Sequence, residues 1–295
     1  MPSPREVKRR MNSVKNMSQI TRAMEMVAAS KMRRAQDRVT ASRPYTDRLR
    51  DVLGDLASLN LDADELKEFP LLEQREIKRT SLIVITPDRG LSGALNSNLF
   101  RRTAQYMRNE AVGSTPHTIA VGKKGRDFLT KTGQHVVAEF IQLGDRPTLD
   151  DVRPIVDVAM SEFLSGDVDA VYMLYPRFVN TLSQVPDVIQ LLPIERPGEG
   201  EGDTSNDNVD YIFEPDAKTV LKEILPRYLE TLVYQAVLET VASFYSSQMV
   251  AMRNATDNAK ELVDDLTLSY NKARQAQITN EVAEISAGAN AFRVE

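Results

Sequence analysis

Cysteine and tryptophan are absent from the 295-residue chain, and histidine occurs only twice. Without cysteine there can be no disulfide, thiolate metal site or cysteine nucleophile, a composition that fits a reducing compartment. His117 and His135 are too few for a typical histidine metal site, and both fall in strand-like context, where a satisfied structural role is the plainer reading. No run of about 18 apolar residues occurs, so no membrane-spanning helix is expected. The start "MPSPREVKRR" has no apolar signal core, and the chain reads as neither spanning a membrane nor secreted.

Helix breakers are also missing from both ends. Residues 5–53 contain no glycine and one proline, Pro44; from Arg227 to Glu295 there is no proline and one glycine, Gly288. In the first stretch Val7, Met11, Val14, Met17, Ile20, Met24, Val27, Met32, Ala35 and Val39 recur mostly every three or four residues, the stripe of one long helix with a kink or break expected at Pro44. Val263, Leu266, Tyr270 and Ala273 form the matching stripe near the other end, resumed by Ile278, Val282 and Ile285.

Between them the pattern changes to strands alternating with helices. "TSLIVITPDRG" reads as a strand entering a turn, "HTIAVGKKGRDFL" as strand then helix, and "QHVVAEFIQLG" as a strand. "LDDVRPIVDVAMSEFL" reads as a helix, and "VDAVYMLYPRF" and "SQVPDVIQLLPI" as further strands. The expected fold is α/β: a long antiparallel α-helical coiled coil from the two chain ends plus a Rossmann-like α/β domain. The expected divisions are an N-terminal helix at 1–57, a connector at 58–79, the α/β domain at 80–195, an acidic linker at 196–215 and a C-terminal helix at 216–295.

If the helices leave the domain level with one another near residues 57 and 217, opposed residue numbers sum to about 274 at equal helical rise. Met252 would then face Arg22. The second helix is the longer, so roughly its last 20 residues would stand without a partner, and such a tip either frays or sits in a socket of another protein.

Charge is uneven. The net value is −5, yet residues 1–50 carry 13 Lys/Arg against four acids, a local charge of +9. Pro197 to Ala217 carries seven acids and no Lys/Arg, as a solvated linker would. The basic "SKMRRAQDR" (30–38) can be a solvated helix face, a surface for an acidic protein partner, or a nucleic-acid contact. Few aromatics interleave it and the whole chain is acidic, both of which count against nucleic acid.

Catalytic motifs are wanting. Neither GxGxxG nor GxxxxGK[ST] occurs, and "GKKG" (122–125) has two glycines at the wrong spacing, as for a tight turn. "DRGLSG" (88–93) could form an anion nest, but a structural turn is favoured because no second group is aimed at it. Ser92 lacks a GxSxG context, and the acid pairs Asp150/Asp151 and Asp264/Asp265 read as solvated faces. "NAT" at 254–256 matches a glycosylation sequon, by coincidence in a chain without secretory features. No active site, cofactor or metal is expected.

Three segments carry a specific resemblance: "VKNMSQITRAMEMVAASKMRRAQ" (14–36), "DRGLSGALNSNLF" (88–100) and "MVAMRNATDNAKELVDDLTLSYNKARQAQITNEVAEISAGA" (249–289). In this order they resemble the gamma-subunit family of bacterial-type rotary ATP synthases, the central rotor shaft. The resemblance implies a non-catalytic axle, one copy per complex, turning inside three alpha and three beta subunits and coupling proton flow through the membrane c-ring to ATP synthesis or hydrolysis on beta. It further implies contact of the α/β domain with the epsilon subunit and the c-ring, no nucleic acid, and a peripheral position on the cytoplasmic side of a bacterial plasma membrane.

By motif position, Met24, Lys31, Arg33 and Arg34 fall where the family's basic collar meets an acidic lever of beta, and Arg274, Gln275 and Thr279 where it meets a beta catch loop. The family's chloroplast dithiol insertion is missing, so thiol switching is excluded, and Ser92 stands where many relatives carry cysteine. The alternative is a nucleotide- or nucleic-acid-binding α/β protein with a coiled-coil adaptor.

Overall fold

The computed structural model describes residues 3–57, 68–111, 116–194 and 216–291. The acidic linker expected from the sequence and residues 58–67 of the expected connector lie outside the described residues. In chain order the elements are α1 (Pro4–Ala57), a 3-10 turn (Pro70–Leu72), β1 (Thr80–Ile85), α2 (Leu95–Asn109), β2 (His117–Val121) and α3 (Lys123–Lys131). There follow β3 (Val136–Phe140), α4 (Leu149–Leu164), β4 (Ala170–Phe178), β5 (Gln184–Leu192) and α5 (Ala217–Ala291). Two compact units result, one of residues 1–29 with 248–295, the other of 30–247, and both long helices contribute to each.

The larger unit is a five-stranded sheet in the order β3-β2-β1-β4-β5, parallel except for β5, which runs antiparallel to β4. All six residues of β1 are buried, as a central parallel strand covered on both faces requires. Ile83, Ile85, Ile119, Val121, Val171 and Met173 point to one face and pack with Ile155, Ala159 and Phe163 of α4 and Leu225, Leu229 and Val233 of α5. On the other face α2 lies against β4 and β5, and α3 against β2 and β3. Helix α2 is absent from the sequence-based expectation.

The β4–β5 hairpin is fastened to α5 by polar groups. The buried carboxylate of Glu239 accepts the Phe178 N–H (2.9 Å), the Ser243 hydroxyl donates to the Pro176 carbonyl (3.0 Å), and Ser247 donates to Gln184 (2.7 Å). Each bond satisfies a group that burial would otherwise leave unpaired. His117 is a structural histidine as expected, its Nδ1 2.7 Å from the Glu162 carboxylate, which also accepts from Ser81 (2.9 Å).

The smaller unit is an antiparallel helix pair. Along α5 the seam runs through Met249, Met252, Thr256, Ala259, Val263, Leu266 and Tyr270, with intervals of three and four, and along α1 Val7, Thr21 and Ala28 are buried at multiples of seven. That is the heptad repeat of a coiled coil. The partners' numbers total 277 for Thr21 with Thr256 and 278 for Glu25 with Arg253. The expected total of 274 is therefore short by three to four residues, about one helical turn.

Two further expectations are corrected. Helix α1 continues through Pro44 to Ala57, so of the kink or break expected there, the break does not occur. Met17, Ile20 and Val27, expected in the packed stripe, are 57%, 56% and 56% exposed; the seam beside them is taken by Ser18, Thr21 and Ala28.

Candidate functional site: a closed crevice, a basic collar and a bare tip

Doubly wound sheets bind ligands at the carboxyl ends of their strands, where the N–H groups of the next helix meet an anion. Here the start of α3 is already occupied. The Lys123 N–H donates to Asp88 Oδ1 (2.8 Å), that of Lys124 to the Pro87 carbonyl (3.3 Å), that of Gly125 to Thr86 Oγ1 (2.7 Å) and that of Arg126 to the Gly122 carbonyl (3.2 Å). The second oxygen of Asp88 accepts the Gln142 N–H (3.1 Å). "DRGLSG" thus forms a turn whose leading carboxylate stands where a phosphate would.

Gly122 is obligatory in this arrangement. Its φ is +91°, and a Cβ would lie 1.9 Å from the Thr86 carbonyl oxygen. What remains of the crevice is a cavity of about 70 Å³ lined in part by Thr86, Asp88, Gly122, Asp145, Phe244 and Tyr245. Ligand pockets run to about 300–1,000 Å³, so a nucleotide has no room. The nucleotide-binding alternative loses its site to the chain's own carboxylate and its own helix.

Within the same unit, Lys31, Arg33 and Arg34 stand on α1. Arg33 and Arg34 are exposed; Arg34 makes only long bonds of 3.4 Å to Ser30. Lys31 is engaged, its ammonium 2.6 Å from Asp145 Oδ2 and 3.3 Å from the Tyr245 hydroxyl, and the Tyr245 hydroxyl itself donates to Asp145 Oδ1. These bonds hold the Lys31 pKa above its ordinary value, the bond to Asp145 contributing most. Burial pushes the Tyr245 hydroxyl up as well.

The remaining expected contact residues lie in the helix pair. Met24 is half-buried, while Arg274, Gln275 and Thr279 are exposed, the Thr279 hydroxyl donating to the Gln275 carbonyl (2.9 Å). Arg274 lines a recess with Arg5, Lys8 and Glu281. From Gln277 to Gly288 every residue is exposed, including Ile278 (49%), Val282 (56%) and Ile285 (72%). Among the described residues no cluster of His, Cys, Asp or Glu could hold a metal ion, and no helix is long and apolar enough to cross a membrane.

Sequence reasoning missed Asp145, a lone acid in a loop, took Asp88 only as the first residue of a turn, and misread Asp151. The Asp151 carboxylate accepts from the Thr148 N–H (2.8 Å) and hydroxyl (2.7 Å), so it caps α4 rather than standing as a solvated acid. The spacing of Thr148 and Asp151 before an apolar run was the available signal.

One unit is thus an antiparallel helix pair, and the other an α/β domain whose ligand crevice its own side chains fill. A family model described as ATP synthase matches residues 3–292. The chain is 54% identical to the ATP synthase gamma chain of Roseiflexus castenholzii over 294 residues, covering 99% of each, and 52% identical to that of Chloroflexus aurantiacus with the same coverage. The chain belongs to the ATP synthase gamma-chain family. Its fold is similar to a chain of the Euglena gracilis mitochondrial ATP synthase determined by cryo-EM, with a TM-score of 0.70 at 22% identity, covering 98% of this chain and 94% of the other. A central-stalk chain of the Tetrahymena thermophila enzyme gives 0.61 at 23% identity, covering 80% and 99%.

Proposed function

We propose that the chain is the non-catalytic central shaft of a rotary ATP synthase, turning within a ring of three alpha and three beta subunits to couple ion flow through a membrane c-ring to ATP synthesis or hydrolysis on beta. The observation that carries this reading is full-length similarity to curated gamma chains, joined to an α/β crevice that its own Asp88 and α5 fill. Such a chain transmits force and turns nothing over. One copy per complex, contact with epsilon and the c-ring, and a peripheral place on the cytoplasmic face of a bacterial plasma membrane complete the proposal.

Met24, Lys31, Arg33 and Arg34 form the collar that meets an acidic lever of beta; Arg274, Gln275 and Thr279 meet a beta catch loop. The local charge of +9 favours an acidic counterpart. Exposed Met17, Ile20 and Val27, spaced along one face of α1, are what a shaft enclosed by a sleeve would present.

Co-expression with alpha and beta tests the reading. A complex of three alpha, three beta and one copy of this chain is expected; failure to assemble overturns it. The variant Arg33→Glu/Arg34→Glu is expected to assemble but couple poorly, and normal proton-driven synthesis in that variant would remove the collar assignment.

A further inference from the structure

Asp145 lies in the loop between β3 and α4, shaped by Gln142 at φ +64° and Gly144 at φ +77°. Its carboxylate receives the Lys31 ammonium at 2.6 Å and the Tyr245 hydroxyl, and the Arg89 guanidinium stands at 4.0 Å. Its backbone carbonyl accepts from Arg38 (3.1 Å). Lys31 and Arg38 are seven residues apart, two turns along one face of α1, and both are half-buried. Arg33 and Arg34 are exposed and form no ion pair among the described residues, although Arg34 borders the recess that Lys31, Arg38 and Asp145 line.

We infer that Asp145 is a positioning residue for the collar: it holds Lys31 and Arg38 against the chain's own sheet domain and leaves Arg33 and Arg34 as the cations offered to an acidic partner. The inference rests on the proposed shaft function and narrows its collar: Lys31 braces it from within, paired with Asp145, and Arg33 and Arg34 carry the free charge. Two physical effects support the arrangement. Four cations within eight residues of one helix repel one another, and one internal carboxylate relieves part of that repulsion. An ammonium already paired also has less to gain from a second carboxylate, so a passing acidic surface would be held less firmly than by four free cations.

A charge exchange in the assembled complex is the test. Lys31→Glu and Asp145→Lys should each lower ATP-driven proton pumping about threefold or more, while the double variant Lys31→Glu/Asp145→Lys should recover at least about half of the wild-type rate, because the pair is re-formed with its signs reversed. If the double variant pumps no better than Lys31→Glu, Lys31 acts on the partner directly and the inference fails. Asp145→Asn supplies a second readout that keeps the loop's size and releases the Lys31 charge. Rotation should slow about twofold at low ionic strength, recover with added salt, and be restored by Asp145→Glu; an unchanged salt profile would overturn the proposal. The collar itself is read separately by Arg33→Glu/Arg34→Glu, so the two ideas fail independently.

Discussion

The hydroxyls of Thr21 and Thr256 meet at 2.8 Å in the buried seam of the helix pair, 235 residues apart in sequence. Each hydroxyl is also within bonding distance of its own helix, Thr21 of the Ser18 carbonyl (3.1 Å) and Thr256 of that of Met252 (2.8 Å), so two protons serve three alternative bonds and whichever hydroxyl donates across the pair gives up its local bond. Thr256 is 2% exposed, while its neighbours Asn254, Asp257 and Asn258 face outward.

Replacing either threonine by valine removes the cross-helix bond but leaves the other hydroxyl its local carbonyl, so a cost of about 1 kcal/mol is expected. The double valine variant should be no worse than either single one, a non-additivity that a thermal-unfolding cycle would reveal. Thr256→Leu must fit a larger side chain between close backbones, and a loss of roughly 1–3 kcal/mol is expected from overpacking.

Asp88→Ala orphans the N–H groups of Lys123 and Gln142 and removes the anion at the start of α3. A loss of roughly 2–4 kcal/mol is expected from the two bonds. Added phosphate or sulfate should restore part of the melting temperature in this variant beyond any effect on wild type, because the vacated helix end then accepts an external anion. Gly122→Ala should be worse and insensitive to anions, since its clash is with backbone.

Acid should unfold the sheet domain through specific carboxylates. Burial pulls the Asp145 pKa up, but bonds from Lys31 and Tyr245 and the nearby cations outweigh it, leaving the group below its ordinary value. Glu110 is lowered chiefly by Arg102, and Asp169 chiefly by the Lys78 N–H. Because these groups bind protons less readily folded than unfolded, their stabilisation is present above about pH 4 and is lost as pH falls through the folded values. Melting temperatures measured from pH 7 to 3 should drop below about pH 4.5, and Asp145→Asn should start lower and fall less steeply.

Truncation of residues 277–295 should leave the melting temperature of the chain nearly unchanged, because every side chain from 277 to 288 is exposed. In the assembled complex the same truncation is expected to weaken shaft retention and torque, readable by single-particle rotation. Unchanged retention and torque would make the proposed catch-loop contact dispensable.

Much of this architecture was legible because alternation and breaker placement are local properties. The five strands and the helix at "LDDVRPIVDVAMSEFL" could be located from pattern alone. Helix α2 was missed since "DRGLSG" reads as a turn and draws attention from Leu95, Leu99, Thr103 and Tyr106, the buried stripe that follows. The α1 seam was misplaced by about one residue for a physical reason. Hydrophobicity picks out Met17, Ile20 and Val27, but a narrow helix pair buries small residues and leaves large apolar ones outward. Lys31 could be found as basic but not as already paired, because Asp145 is 114 residues away.

The Asp88 carboxylate at the start of α3 has a mechanical consequence. A shaft whose crevice accepted ATP, ADP or phosphate would stiffen or relax with the concentrations of the molecules its machine makes and consumes. With a carboxylate built into that seat and α5 lining it, this crevice takes no part in such a response.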